Sequence, residues 1–223
     1  MIESITTINF QDAVQCSSTL FQSKESFLPI SYEFKKGNSY GLISDFGCGS
    51  WGVVTSLRGY CSENYTGQIL ANHSLIHGKS LAEHACFLAD SIFPGVNSPD
   101  KLLTPRECIK KALEQSLQPY SVEKIKKIFC LSDSRFERPL DQVSGEIWFV
   151  SVAVNFALGK EIFCFPWLNM LEIRWFKSAL ENGVIDFLKK KGKIILIPSS
   201  QRHTLHKYCD HTILFKKDKI VYR

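Results

Sequence analysis

The chain has 223 residues, 44% hydrophobic and 22% charged, with a formal net charge of +5, enough to bury a full core as one α/β domain with an inserted lobe. Its lysines are scattered or lie in short runs such as Lys189-Lys190-Lys191 and Lys216-Lys217 without interleaved aromatics, a pattern of solvated helix ends and turns that argues against a nucleic-acid partner. The longest near-apolar run, 147–158, is too short to span a bilayer, and the eight cysteines (Cys16, Cys48, Cys61, Cys86, Cys108, Cys130, Cys164, Cys209) contain no CxxC pair, which points to reduced, mostly buried thiols in the cytosol rather than a disulfide framework.

Taken in order, Ile5-Thr6-Thr7-Ile8-Asn9-Phe10 and Ile30-Ser31-Tyr32-Glu33-Phe34 alternate with period two and predict antiparallel strands near a sheet edge. The apolar run Tyr40-Gly41-Leu42-Ile43 predicts a buried strand. It leads through Gly47-Cys48-Gly49-Ser50-Trp51-Gly52 into Val53, Val54 and Leu57 at helical spacing, giving strand, glycine loop and helix up to Gly59. A short strand is expected at 68–71. The pattern then turns helical: one helix over 81–92, a second opened by Thr104-Pro105-Arg106-Glu107 in capping-box order, and a third over 122–131 capped by Ser121.

After a loop at 132–144, an apolar helix reaches about Leu158, and Ile162-Phe163-Cys164-Phe165 is a buried strand closed by Pro166. Residues 171–191 form an amphipathic helix with Ile173, Phe176, Leu180, Val184 and Phe187 on one stripe. A buried strand at 193–197, a short helix at 201–209 and a hairpin over 212–222 complete the chain. Alternation of strand and helix in this half predicts a parallel sheet.

The glycine loop suits an anion, because backbone N–H groups converge where such a turn enters a helix. It lacks the Lys of a GxxxxGK[ST] loop, since Val53 and Val54 follow Gly52. It also spells GxGxxG, but no acidic residue stands about 20 positions on to hold a ribose.

The order of these parts resembles the ATP-binding cassette, the nucleotide-binding subunit of ABC transporters, over roughly 21–223. Residues 27–59 are similar to that family's strand, P-loop and first helix, and Phe21 falls where the family carries the aromatic that stacks on adenine. Gln142-Val143-Ser144-Gly145-Glu146 is similar to the signature motif, and 162–165 to the strand of the second nucleotide motif. The C-terminal strand, helix, Cys209-Asp210 pair and hairpin come in the family's order. The resemblance implies a P-loop NTPase-like (RecA-like) α/β core, an N-terminal antiparallel β-lobe and a helical lobe at about 81–142. It further implies ATP as ligand, a transmembrane permease and a second cassette as partners, and a peripheral place on the inner face of the cell membrane. The paired cassette would meet Ser144, Gly145 and Glu146.

The departures fall on the chemistry. Ser50 takes the P-loop lysine position and Trp51 that of the Mg²⁺-ligating hydroxyl, so Mg²⁺ is not expected. Pro166 and Trp167 replace the magnesium-orienting Asp and the catalytic Glu, and Ser200 replaces the switch histidine. Phosphoryl transfer depends on such charge stabilisation and water positioning, so no catalytic residue is expected and the chain reads as an exporter-type, non-hydrolysing cassette. The rival readings are a dinucleotide-binding enzyme using Gly47, Gly49 and Gly52, and a residual ATPase drawing on Asp45 or Glu146.

Three further groups attract chemistry. His203, His206, Cys209 and His211 crowd one region, but zinc sites pair two clusters and no second appears. His73 and His77 sit four apart between Asn72 and Gly78, which favours a loop. Cys48 lies where a thiol at a helix N-terminus would ionise readily, but no His or carboxylate partner stands beside it in sequence. Trp148, Phe149, Phe156, Phe163, Phe165 and Trp167 read most simply as core, with exposure near a dimer interface the alternative for Trp148 and Trp167.

Overall fold

The computed structural model describes residues 4–14, 16–17, 24–25, 29–45, 47–57, 66–76, 78–88, 103–143, 146–169, 173, 177, 181–216 and 219–223. It divides into two compact units: Met1–Phe87 with Glu161–Arg223, and Leu88–Lys160.

In chain order the first unit begins with β1 (Thr7–Val14), β2 (Cys16–Ser17), β3 (Lys24–Glu25), β4 (Ile30–Lys35), β5 (Ser39–Ile43), α1 (Ser50–Ser56), β6 (Thr66–Ala71), β7 (Ser74–Leu75), α2 (Gly78–His84) and β8 (Ala85–Phe87). The second unit holds α3 (Pro105–Ser116), α4 (Val122–Ile128), α5 (Asp133–Phe136), a 3-10 turn at Leu140–Gln142 and α6 (Ile147–Ala157). The first resumes with β9 (Ile162–Cys164), α7 (Val184–Lys190), β10 (Ile194–Ser199), α8 (Arg202–Tyr208), β11 (His211–Phe215) and β12 (Ile220–Tyr222).

Two main sheets form the first unit. One has the order β12-β11-β5-β10-β9-β8; its neighbours run parallel except for β12, antiparallel to β11. The other is antiparallel, in the order β4-β1-β6-β7. They share a core of Ile8, Phe10, Phe34 and Ile69 from the antiparallel sheet, Leu42, Cys164, Leu196 and Ile213 from the parallel one, and Val53, Val54 and Leu57 from α1. Burying each such side chain contributes about 1.5–3 kcal/mol. Edge-to-face contacts of Phe34 with Phe10 and Tyr40, at 5.7 and 4.9 Å, set the ring geometry.

All five residues of β5 and all six of β10 are buried, the pattern of strands covered on both faces. Where β5 begins, Asp210 ties three elements together. Its carboxylate accepts from the Ser39 N–H and hydroxyl, both at 2.8 Å, and from Lys189 Nζ at 2.6 Å. Over the middle of β5, Gly41 leaves room for α8: a Cβ there would stand 2.9 Å from Leu205 Cβ.

The helical unit follows its caps. Thr104 Oγ1 accepts from Glu107 N–H at 3.2 Å while Glu107 Oε2 accepts from Thr104 N–H at 2.9 Å, the reciprocal box expected from the sequence. Ser121 accepts from Lys124 N–H at the start of α4.

Three expectations need correction. The helix predicted over 81–92 stops at His84, and Ala85–Phe87 is instead the edge strand beside β9. Residues 89–92 lie outside the described residues. The antiparallel strand at 5–10 is not at an edge: β1 lies between β4 and β6, because its second partner arrives only after the glycine loop. The predicted helix over 171–191 is interrupted at Gly183, whose φ of 74° is left-handed, and α7 starts at Val184; Phe176 and Leu180 lie outside the described residues.

Asp210 supplies a pH prediction. Burial works to raise its pKa, but the bonds from Lys189 and Ser39 outweigh it and hold the carboxyl below its ordinary 3.8. A carboxyl lowered in the fold contributes stability that is complete above its ordinary value and is lost as pH falls through the lowered one. Asp210→Asn is therefore expected to melt lower than wild type at pH 7 and to show a flatter acid limb below about pH 4, as read by thermal denaturation across that range.

Candidate functional site

The parallel sheet places the loop. β5 and β10 run side by side from Ser39↔Ile195 to Ile43↔Ser199, and β9 joins β10 as far as Cys164↔Leu196. The C-terminal ends of the three strands are therefore neighbours, the position where open α/β sheets bind ligands. Ser44, Ser199 with Ser200, and Phe165 through Leu168 all leave the sheet there. Cross-links hold them: Ser44 N–H donates to Ser199 O at 3.2 Å, Leu168 N–H to Pro198 O at 2.9 Å, and Ser199 Oγ to Leu168 O at 2.5 Å.

Beyond Ser44 the chain turns back into α1. Cys48 N–H donates to Asp45 O at 3.1 Å. Gly47 and Gly49 take φ of 81° and 107°, the left-handed region where an L side chain is strained. No atom lies within 4 Å of a Cβ placed on Gly47, so its requirement for glycine is dihedral and not steric. Gly49 caps α1, and Val53 N–H reaches Gly49 O at 3.2 Å.

The side chains differ from a phosphate cradle. Ser50 is fully buried and its hydroxyl lies 2.5 Å from that of Ser44, itself 3% exposed. Trp51 is half-buried and packs on the core. Pro166 is buried and Trp167 half-buried. Ser200 is half-buried, within 3.3 Å of Gln201 Nε2. The structure thus brings Gly47, Cys48, Gly49, Ser50, Trp51, Gly52, Pro166, Trp167 and Ser200 to one edge of the sheet, while Phe21, Ser144 and Gly145 lie outside the described residues.

Glu146 belongs to the helical unit. Its carboxylate accepts from Ser132 N–H at 3.1 Å and Arg135 Nη1 at 3.4 Å, joining the start of α5 to the start of α6. Asp45 is exposed.

These residues fit a phosphate only through the loop backbone, and they do not fit Mg²⁺. Trp51 and Pro166 carry no side-chain oxygen for a divalent cation, and the Ser50 hydroxyl is bonded to that of Ser44. Sequence reasoning missed Ser44 and Ser199. The only signal for Ser44 was a hydroxyl at the end of a buried strand six residues before Ser50.

The histidine and cysteine group is spoken for. Arg202 Nε donates to His206 Nε2 at 3.1 Å, and His206 Nδ1 lies 3.0 Å from Thr212 Oγ1. Burial first, then the neighbouring Arg202 and Arg223 charges, lower the pKa of His206, favouring the neutral ring. The His211 ring stacks on Tyr40 at 5.2 Å. Burial pushes the Cys209 thiol up to about 12. Among the described residues, no group of three His, Cys, Asp or Glu is placed to hold a metal ion. His73 occupies the β6–β7 turn with φ of 65°, and His77 lies outside the described residues. A separate cavity of about 220 Å³ lies between α7 and α8, lined by Asp186, Lys189, Lys207, Tyr208 and Asp210 among others.

No family model matches the chain. An uncharacterized ABC transporter ATP-binding protein of Methanocaldococcus jannaschii is 23% identical over 207 residues, covering 91% of this chain and 72% of that protein. Among solved structures, the chain is similar to cbiO1 of Clostridium perfringens, part of the ABC transporter complex cbiONQ, with a TM-score of 0.70 at 14% identity, covering 98% of this chain and 88% of that one. It is also similar to a nucleotide-free ATP-binding cassette from an ABC transporter, with a TM-score of 0.69 at 16% identity, covering 97% and 90%. The fold is that of the ATP-binding cassettes, an α/β fold of the P-loop NTPase type, as the sequence resemblance implied. The dinucleotide-binding alternative is not favoured.

The state of Cys209 is testable. A thiol with pKa about 12 is on the order of 10⁻⁴ ionised at pH 8, against roughly a quarter for an unperturbed thiol. Iodoacetamide is therefore expected to label exposed Cys130 at least about a hundredfold faster than Cys209, as followed by peptide mass spectrometry.

Proposed function

We propose that this chain is the ATP-binding-cassette subunit of an exporter-type ABC transporter, and that its own nucleotide site is structural or regulatory and does not hydrolyse ATP. The observation that carries this reading is the pairing of cassette architecture with a site edge lacking the cassette's charges: Ser50 is buried against Ser44, and Pro166 and Trp167 follow β9. Phosphoryl transfer draws its rate from a cation on the phosphates, a bound metal and a group that orients water. Losing one such contact costs on the order of 10²-fold or more, and here five positions depart from the family pattern: Ser50, Trp51, Pro166, Trp167 and Ser200.

In this reading residues 1–223 are one cassette, its helical subdomain (about 81–142 from the sequence) docks on a transmembrane permease, and Ser144, Gly145 and Glu146 face the glycine loop of a second cassette. That second cassette supplies hydrolysis. Nucleotide contacts, where made, fall to Phe21 and the backbone of Gly47, Cys48, Gly49, Ser50, Trp51 and Gly52, without Mg²⁺. No described helix is long and apolar enough to cross a membrane, so attachment to the inner face of the membrane runs through the permease. The similarity to an ABC transporter ATP-binding protein supports this assignment.

The test is assembly in the source cells. A tagged chain is expected to fractionate with membranes and, after detergent extraction, to co-purify with one multi-span protein and one cassette that keeps its Lys and Glu. Recovery as a free protein that binds NAD saturably would overturn the reading.

A further inference from the structure

The serine pair at the mouth of the glycine loop has a role beyond absence of charge. Ser44 and Ser50 bracket the loop and their hydroxyl oxygens are 2.5 Å apart, with exposures of 3% and 0%. A buried hydroxyl with no partner costs about 1–3 kcal/mol, so each serine requires the other. One of the two hydroxyl hydrogens lies in the bond between them, which leaves a single donor in place of the three that a lysine ammonium would offer an anion.

Other contacts close the same loop from within. Ser44 N–H is held by Ser199 O, Cys48 N–H by Asp45 O, and Val53 N–H by Gly49 O. Trp51, next to Ser50, packs on the core and anchors the first turn of α1. The helix that follows has only seven residues and no acidic or basic residue to bias its ends. These three amides, the two hydroxyls and the body of the indole take their partners from the chain itself.

We propose that the Ser44–Ser50 hydrogen bond stands in for the bound phosphate, holding the glycine loop in its folded geometry without nucleotide, so that Mg²⁺–ATP neither orders the loop nor is held by it. The inference rests on reading residues 44–52 as the nucleotide loop of a cassette, as in the function proposed above. It narrows that function: the site serves as a rigid filler at the cassette edge, and nucleotide sensing falls to the partner cassette.

Hydrogen exchange by mass spectrometry on the purified full chain tests this directly. In wild type, the amides of residues 47–53 are expected to be protected without ligand, and millimolar ATP with Mg²⁺, ATP with EDTA, or ADP should leave them unchanged. Ser44→Ala is expected to speed exchange across the same residues by about tenfold, the loss of one buried hydrogen bond. The proposal is overturned by saturable, Mg²⁺-dependent protection of the loop in wild type, an arm that needs no variant. It is equally overturned if Ser44→Ala folds and exchanges like wild type. A protected, ATP-insensitive loop in a chain that assembles with no permease would keep this inference and sink the proposed function. A permease complex with an ATP-protected loop would do the reverse.

Discussion

The parallel ladder between β5 and β10 is the constraint on which the site depends. Both strands are buried along their whole length, so any slip that broke their ladder would leave backbone N–H and C=O groups unpaired in the interior. Asp210 fixes the beginning of β5 through Ser39, and Ser199 fixes its end through Ser44. The ends of β5, β10 and β9 then deliver the glycine loop, Ser200 and Pro166–Trp167 to one edge, whatever side chains those positions carry. Architecture and chemistry are set by different residues: buried strands fix the first, and the side chains of the loops leaving them fix the second.

The replacements suit a packed interior. A loop that binds phosphate must leave N–H groups and a cation facing an empty cradle, which is costly without the ligand. Here the buried hydroxyls of Ser44 and Ser50 satisfy each other, Pro166 is buried, and Trp51 adds apolar contact to the core. None of these side chains needs an anion or a metal opposite it.

Much of the fold was legible because its signals are local. The capping box at Thr104 and Glu107, the strand, glycine loop and helix around Gly47 and Gly49, and the C-terminal strand, helix and hairpin are each written within some ten to twenty residues. Apart from the helix break at Gly183, the failures were non-local. Ala85-Cys86-Phe87 reads as helix in its own window, because its strand partner, β9, lies more than seventy residues away; strand formation is decided by such neighbours more than by propensity. β1 looked like an edge strand for the same reason. At the site, the sequence named Ser50, Pro166, Trp167 and Ser200, which the fold gathers at one sheet edge, but it could not show that Ser44 is the partner of Ser50, since a hydroxyl's partner is a fact of three dimensions.

The central claim is a cassette fold without cassette chemistry, and phosphate release by the purified chain tests it most directly. With Mg²⁺ present and ATP in excess over the protein, the account predicts release no faster than in a protein-free control. Sustained release by wild type that disappears on Gly49→Ala would contradict it and place a working ATPase at this loop.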